Sequence, residues 1–213
     1  AAAELADVRY VLSDLDDTLT LDGRLPAASY AALEQLEAAG CRVVIVSGRP
    51  AGWCDMIARM WPVAAVVGEN GAFSFRYDRA ARRMIREFQF SDTERARDQT
   101  KLAALFAAIK AKYPQAQLSA DQAYRISDYA IDFCEDVEPL SRTIIDDMVA
   151  MLEKERIAFD IASHRDAPPG LRIWTGAMVD THDIEALYRR SSGPFLRPGF
   201  IFRSAAHDGV KSI

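Results

Sequence analysis

The sequence predicts an α/β protein, a parallel sheet wrapped by helices with a smaller α+β unit inserted into it, and three observations carry that expectation. Short apolar runs alternate with helical spacings through roughly the first seventy residues, the pattern of βαβ units. After Gly71 the period changes to alternation in Phe73-Ser74-Phe75-Arg76-Tyr77, the mark of a half-exposed strand. From residue 92 to 161 helices and strands mix with hairpin signals, as in a compact α+β unit. The implied organisation is a Rossmann-like parallel-sheet core over 1–71, a cap over 72–163 and a C-terminal segment over 164–213.

Taken in order, strand 8–13 comes first, then helix 26–39, strand 41–46, helix 50–60 and strand 63–67. Arg42-Val43-Val44-Ile45-Val46 is nearly all β-branched and apolar, which suits a strand buried on both faces of a parallel sheet. Pro50 fits the first turn of the helix that follows. Short links between these elements imply right-handed crossovers. Asp78-Arg79-Ala80 reads as a turn, and 83–90 as the returning partner of 73–77. Leu102, Leu105, Phe106, Ile109 and Tyr113 line one face of a helix over 92–113. Tyr124-Arg125-Ile126-Ser127 and 129–133 read as strands, 139–155 as a helix with Ile144, Ile145, Met148 and Leu152 inward, and 157–161 as a strand. Ser192 to Gly199 has the composition of a linker.

The chemistry-bearing residues fall at strand ends. Asp14 and Asp16 follow the first strand at i, i+2, so both carboxylates can face one ligand. Such a pair can hold a hard cation through oxygen while one member attacks phosphorus. The same residues would also serve as an Asp-rich turn or helix cap. Ser47-Gly48-Arg49-Pro50 ends the second strand with a hydroxyl, exposed backbone donors and a guanidinium, all suited to phosphate oxygens. Ligands of open parallel sheets bind at the carboxyl ends of the strands, where both clusters lie.

Together, Asp14-Leu15-Asp16-Asp17-Thr18, Val46-Ser47-Gly48-Arg49-Pro50 and Val67-Gly68-Glu69-Asn70-Gly71-Ala72 resemble the motifs of the haloacid dehalogenase superfamily of phosphatases. The likeness is to the branch with a large α/β cap after the third core strand, similar to Cof-type and sugar-phosphate phosphatases. The resemblance implies a Mg²⁺-dependent phosphomonoesterase working through aspartyl-phosphate on a small phosphorylated metabolite, a sugar phosphate in preference. Asp14 would be the nucleophile and Asp16 the acid/base. The Asp14 side chain and the Asp16 backbone carbonyl would ligate Mg²⁺. Ser47 and Gly48 would bind the transferring phosphate, with Arg49 and Asn70 where substrate enters.

That family also uses a lysine and a late acidic motif. Gly209-Val210-Lys211-Ser212 resembles the lysine motif, which would leave the core incomplete; alternatively Asp180 and Asp183 resemble the acidic motif with no lysine ahead of them. These departures support a second reading, a truncated or degenerate member that binds phosphate ligands or a partner without catalysis. The segment 165–174 with 183–187 resembles the C-terminal end of phosphoserine aminotransferases, which makes phosphoserine a minority substrate option.

The chain has 213 residues, half of them apolar, and a net charge of −5. That size buries a substantial core, and the negative charge argues against nucleic acid or an anionic membrane as partner. Apolar runs such as 62–67 are too short to span a bilayer, and Ala1-Ala2-Ala3-Glu4 lacks signal-peptide features. Cys41, Cys54 and Cys134 lack metal-ligand spacing and read as reduced thiols of a cytoplasmic protein. His164 is a candidate substrate contact, His182 and His207 read as surface residues, the acidic run 132–138 as a solvated strand end, and Trp53, Trp61 and Trp174 as packing residues.

Overall fold

The structure, a computed structural model, describes residues 8–133, 136–162, 170–174 and 200–203. Expectations for Cys134, His164, Asp180, His182, Asp183, His207, Lys211 and the linker-like 192–199 lie outside the described residues. The first half runs β1 (Tyr10–Asp14), α1 (Ala27–Ala38), β2 (Arg42–Val46), α2 (Ala51–Met60), β3 (Ala65–Gly68), β4 (Phe73–Asp78) and β5 (Arg83–Phe88). It continues as α3 (Asp92–Lys112), β6 (Gln117–Leu118), β7 (Tyr129–Asp132), α4 (Arg142–Lys154), β8 (Ala158–Ala162), β9 (Gly170–Trp174) and β10 (Phe200–Arg203).

The larger sheet has the order β10-β1-β2-β3-β4-β5. β10, β1, β2 and β3 are parallel, and Asp14 pairs in register with Val46 while Val46 pairs with Val67. The alternation along β2 explains why this strand is central. Val43 and Ile45 join Leu33 of α1 and Cys54, Ile57 and Ala58 of α2 in one core, while Val44 packs with Ala65 and Val67 on the opposite face. Each of the leucine, valine and isoleucine side chains, sealed from water, contributes roughly 1.5–3 kcal/mol. The expected α/β, Rossmann-like core is therefore present, with helices crossing between parallel strands.

The hairpin β4–β5, counted with the cap in the sequence reading, pairs antiparallel with β3 and extends the larger sheet. Phe73, Ser74 and Phe75 are all buried, Phe73 and Phe75 stacking with ring centroids 4.2 Å apart. Alternation identifies a strand but not the sheet it joins. Gly68 makes the join possible: a Cβ there would lie 2.4 Å from Phe73 and 2.6 Å from the Cys54 sulfur. No side chain fits that gap.

A second sheet, β6-β7-β9-β8, is antiparallel and carries α3 and α4. Leu102, Leu105 and Ile109 from α3 meet Ile145, Met148 and Leu152 from α4 in its core, with Ile144, Phe106 and Tyr113 partly buried around them. α3 starts on the capping box Ser91–Glu94, in which the Ser91 hydroxyl accepts from the Glu94 N–H and Glu94 accepts from the Ser91 N–H. Such a cap stabilises by about 1 kcal/mol. β9, drawn from the aminotransferase-like stretch of the C-terminal segment, lies between β7 and β8, whereas β10 returns to the larger sheet beside β1. Residues 124–127 do not form the expected strand; Gln122–Tyr124 is a 3₁₀ turn that leads into a loop. Among the described residues, no helix is long and apolar enough to cross a membrane.

Candidate active site

The carboxyl ends of β1, β2 and β3 come together because the three strands are parallel and in register. At the end of β1, Asp14 is half-buried and its Oδ1 accepts the Leu15 N–H at 2.7 Å. The chain then turns tightly, with Leu19 and Thr20 both donating to the Leu15 carbonyl and Asp17 at φ 55°. The turn is Asp-rich, as the alternative reading required. It also leaves the Thr18 hydroxyl oxygen buried with no hydrogen-bond partner among the described residues, which is uncommon for a buried polar group.

Asp16 reaches across to β2. Arg49 donates through Nη2 to Oδ1 at 2.8 Å and through Nε to Oδ2 at 2.9 Å, a two-pronged charge-assisted contact. Both side chains retain some exposure, 15% for Asp16 and 26% for Arg49. The Arg49 guanidinium also lies over the Trp53 ring, 4.8 Å from its centroid. Trp53 is 41% exposed, so it is a rim residue and not the packing residue expected. Trp61 does pack against the main core; the Trp174 side chain lies outside the described residues.

Ser47 is buried, its N–H donating to the Val67 carbonyl at 2.9 Å and its hydroxyl oxygen accepting the Arg49 N–H at 3.1 Å. The hydroxyl proton is left to donate elsewhere. At the start of α2 the Ala51 N–H donates to Oε1 of Glu69 at 2.9 Å. The carboxyl group at this helix end is the protein's own.

Glu69, Asn70 and Gly71 form a turn with positive φ at 46°, 57° and 95°. The two non-glycine residues cost roughly 1–2 kcal/mol each in that conformation. Asn70 is half-buried with its Nδ2 donor buried and without a partner among the described residues. Glu69 is 1% exposed and accepts backbone N–H groups from Ile126 at 3.0 Å, Ser127 at 2.6 Å and Asp128 at 3.2 Å. Burial first, and then the charge of Asp128, push its carboxyl up to about 7, against the pull of those backbone donors.

Arg125, 2% exposed, sits beside it. It donates to both Asp128 oxygens at 3.0 Å, to Asp121 at 3.1 and 3.2 Å, and to the Gly48 carbonyl at 3.3 Å. Burial alone would lower its pKa, but the charges of Asp128 and Asp121 outweigh that and raise it. Sequence reasoning missed Glu69, Arg125 and Asp128. The available signal was an arginine with aspartates four residues before and three after, a spacing that charge patterning flags.

The donors at the end of β1 are all oxygen, a carboxylate and main-chain carbonyls, and such a set fits Mg²⁺, which takes one or two protein carboxylates and keeps several waters. Among the described residues there is no group of three or more His, Cys, Asp or Glu placed to hold a metal. The Asp16 carboxylate is engaged by Arg49, so its backbone carbonyl is the better donor.

Comparison with known proteins agrees with this fold. The profile of the haloacid dehalogenase-like hydrolases matches residues 11–128. The fold is similar to a Thermoplasma acidophilum protein of known crystal structure, with a TM-score of 0.68 at 13% identity, covering 92% of this chain and 76% of that one. It is also similar to a subclass IIB sugar phosphatase of the same superfamily, with a TM-score of 0.56 at 12% identity, covering 86% and 76%. A 48-residue stretch is 50% identical to phosphoserine aminotransferase from Methanosarcina mazei, 22% of this chain and 13% of that enzyme's length. The aminotransferase likeness is thus partial.

Proposed function

This chain belongs to the haloacid dehalogenase-like hydrolases, and from that premise we propose that it is a Mg²⁺-dependent phosphomonoesterase acting on a small phosphorylated metabolite, with sugar phosphates favoured. One observation carries the reading: the two carboxylates after β1 stand beside Ser47 and Arg49 after β2, with Asp16 and Arg49 in direct contact. The core in this reading is the larger sheet with α1 and α2, and the second sheet with α3 and α4 is the cap that shields the site from water.

A carboxylate oxygen of Asp14 and the carbonyl of Asp16 would hold Mg²⁺, which supplies positive charge against the phosphoryl oxygens. Asp14 attacks phosphorus while the bond to the leaving oxygen breaks, and Asp16 gives that oxygen its proton. Asp16 then takes a proton from water, whose oxygen attacks phosphorus and returns Asp14 as a carboxylate with release of inorganic phosphate. Ser47 donates its hydroxyl proton to a phosphoryl oxygen in both transfers. Arg49 moves from Asp16 to the substrate dianion as it binds, which leaves the Asp16 carboxyl facing the leaving group. The superfamily's sugar phosphatase with a similar fold supports the substrate class.

The test is phosphate release from a panel of phosphomonoesters with and without Mg²⁺, run beside Asp14→Asn. Metal-dependent release that falls by several orders of magnitude in Asp14→Asn is expected. Release unchanged by that substitution removes Asp14 as nucleophile. Tight binding of phosphate compounds without turnover would favour the non-catalytic relative.

A further inference from the structure

The loop that begins α2 is held at four backbone groups between Gly48 and Ala51, and two residues outside it do most of the holding. Arg125 donates to the Gly48 carbonyl. The N–H of the same peptide unit, that of Arg49, donates to the Ser47 hydroxyl oxygen. The Arg49 carbonyl accepts the Glu69 N–H at 3.3 Å, and the Ala51 N–H donates to the Glu69 side chain. Because a peptide unit is planar, fixing the Gly48 oxygen also fixes the direction of the Arg49 N–H. That direction sets which way the Ser47 hydroxyl turns.

The contact is reciprocal, a side chain from each side gripping backbone of the other. Arg125 comes from the loop before β7 and grips the loop after β2, across 77 residues of chain. Glu69 comes from the end of β3 and grips the N–H groups of Ile126, Ser127 and Asp128 in that same loop. Gly52 has no side chain to keep the two apart: a Cβ there would meet Tyr124 at 3.0 Å. Asp121 and Asp128 balance the arginine, so its guanidinium stays buried and oriented.

We propose that Arg125 and Glu69 are positioning residues for the phosphate-binding loop, setting the Ser47 hydroxyl and the Arg49 backbone for phosphoryl transfer from the cap side of the molecule. The inference rests on the phosphomonoesterase reading above. Arg125 touches no substrate; it acts through Gly48. A lysine at the same position keeps a charge opposite Asp128 but lacks the fork that holds Asp121, Asp128 and Gly48 at once.

The test uses the full chain, Arg125→Met and Arg125→Lys, with p-nitrophenyl phosphate as substrate and amide hydrogen exchange over residues 47–54. At least a tenfold loss of kcat with KM within about twofold, and faster exchange at 47–51, is expected in both variants. If Arg125→Met does not fold, Arg125→Lys carries the test alone. A folded variant with wild-type kcat and unchanged exchange overturns the inference. Should the wild type release no phosphate, the phosphomonoesterase reading fails by itself, and exchange alone decides: acceleration at 47–51 keeps the positioning role of Arg125, and its absence ends it.

Discussion

Two arginine–carboxylate pairs of nearly equal length behave as different devices in this molecule. Arg49 and Asp16 meet at 2.8 Å with 26% and 15% of their side chains exposed, whereas Arg125 and Asp128 meet at 3.0 Å with 2% and 0%. Separation does not distinguish them; access to water does. An ion pair open to solvent is worth little and exchanges partners easily. A sealed one has lost its hydration, so removing either member strands a charge. The first pair suits the proposed release of Asp16 when a phosphate binds, and the second suits a fixed junction between the two sheets.

The largest effect expected from this contrast is at Asp128. Asp128→Ala removes one of the two carboxylates that balance the buried Arg125 guanidinium, and the loss of stability should be about 3–5 kcal/mol by urea unfolding. A loss below about 1 kcal/mol would mean that water reaches Arg125 and that the contrast is not real.

The two pairs also differ in how far the sequence revealed them. Asp14, Asp16, Ser47 and Arg49 were legible because each ends or follows a strand whose apolar pattern is nearly continuous, and parallel strands must end together on one side. The β4–β5 hairpin was legible as a hairpin but not as part of the larger sheet, since its partner β3 is chosen by packing at Gly68. Arg125 was read as a strand residue. Its true setting, a loop with its guanidinium turned inward, depends on a carbonyl at Gly48 and on Glu69, which no local pattern connects to it. Long-range hydrogen bonds from side chains to backbone leave no periodic trace.

Glu69 sharpens the comparison with pH. Its carboxyl is pushed up to about 7 by burial and then by Asp128, so the folded chain keeps its proton where the unfolded chain has lost it. Stability from this group is fully present below the ordinary carboxylate range and is lost as pH rises through about 7. Between pH 4 and pH 8 the wild type should lose on the order of 3 kcal/mol relative to Glu69→Gln, measured as urea midpoints at each pH. A difference of the opposite sign would mean that the N–H donors of Ile126 and Ser127 dominate over burial.

The smallest change in stability is expected where the change in function is plain. Arg49→Ala removes a partly exposed ion pair and its contact with Trp53, each worth no more than about 1 kcal/mol, so the urea midpoint should hardly move. In the proposed function the substitution also deletes a charge-assisted donor to the substrate phosphate, worth about 1.5 kcal/mol or more, and KM should then rise by roughly tenfold or more. Meanwhile Asp16 is released from its partner, and kcat should change less than KM if its role is proton transfer. Lysine at this position should recover part of the affinity as a point charge without the two-pronged grip on Asp16. Equal losses of stability and affinity in Arg49→Ala would place this pair in the same class as Arg125 and Asp128, and the distinction between an exchangeable and a fixed contact would collapse.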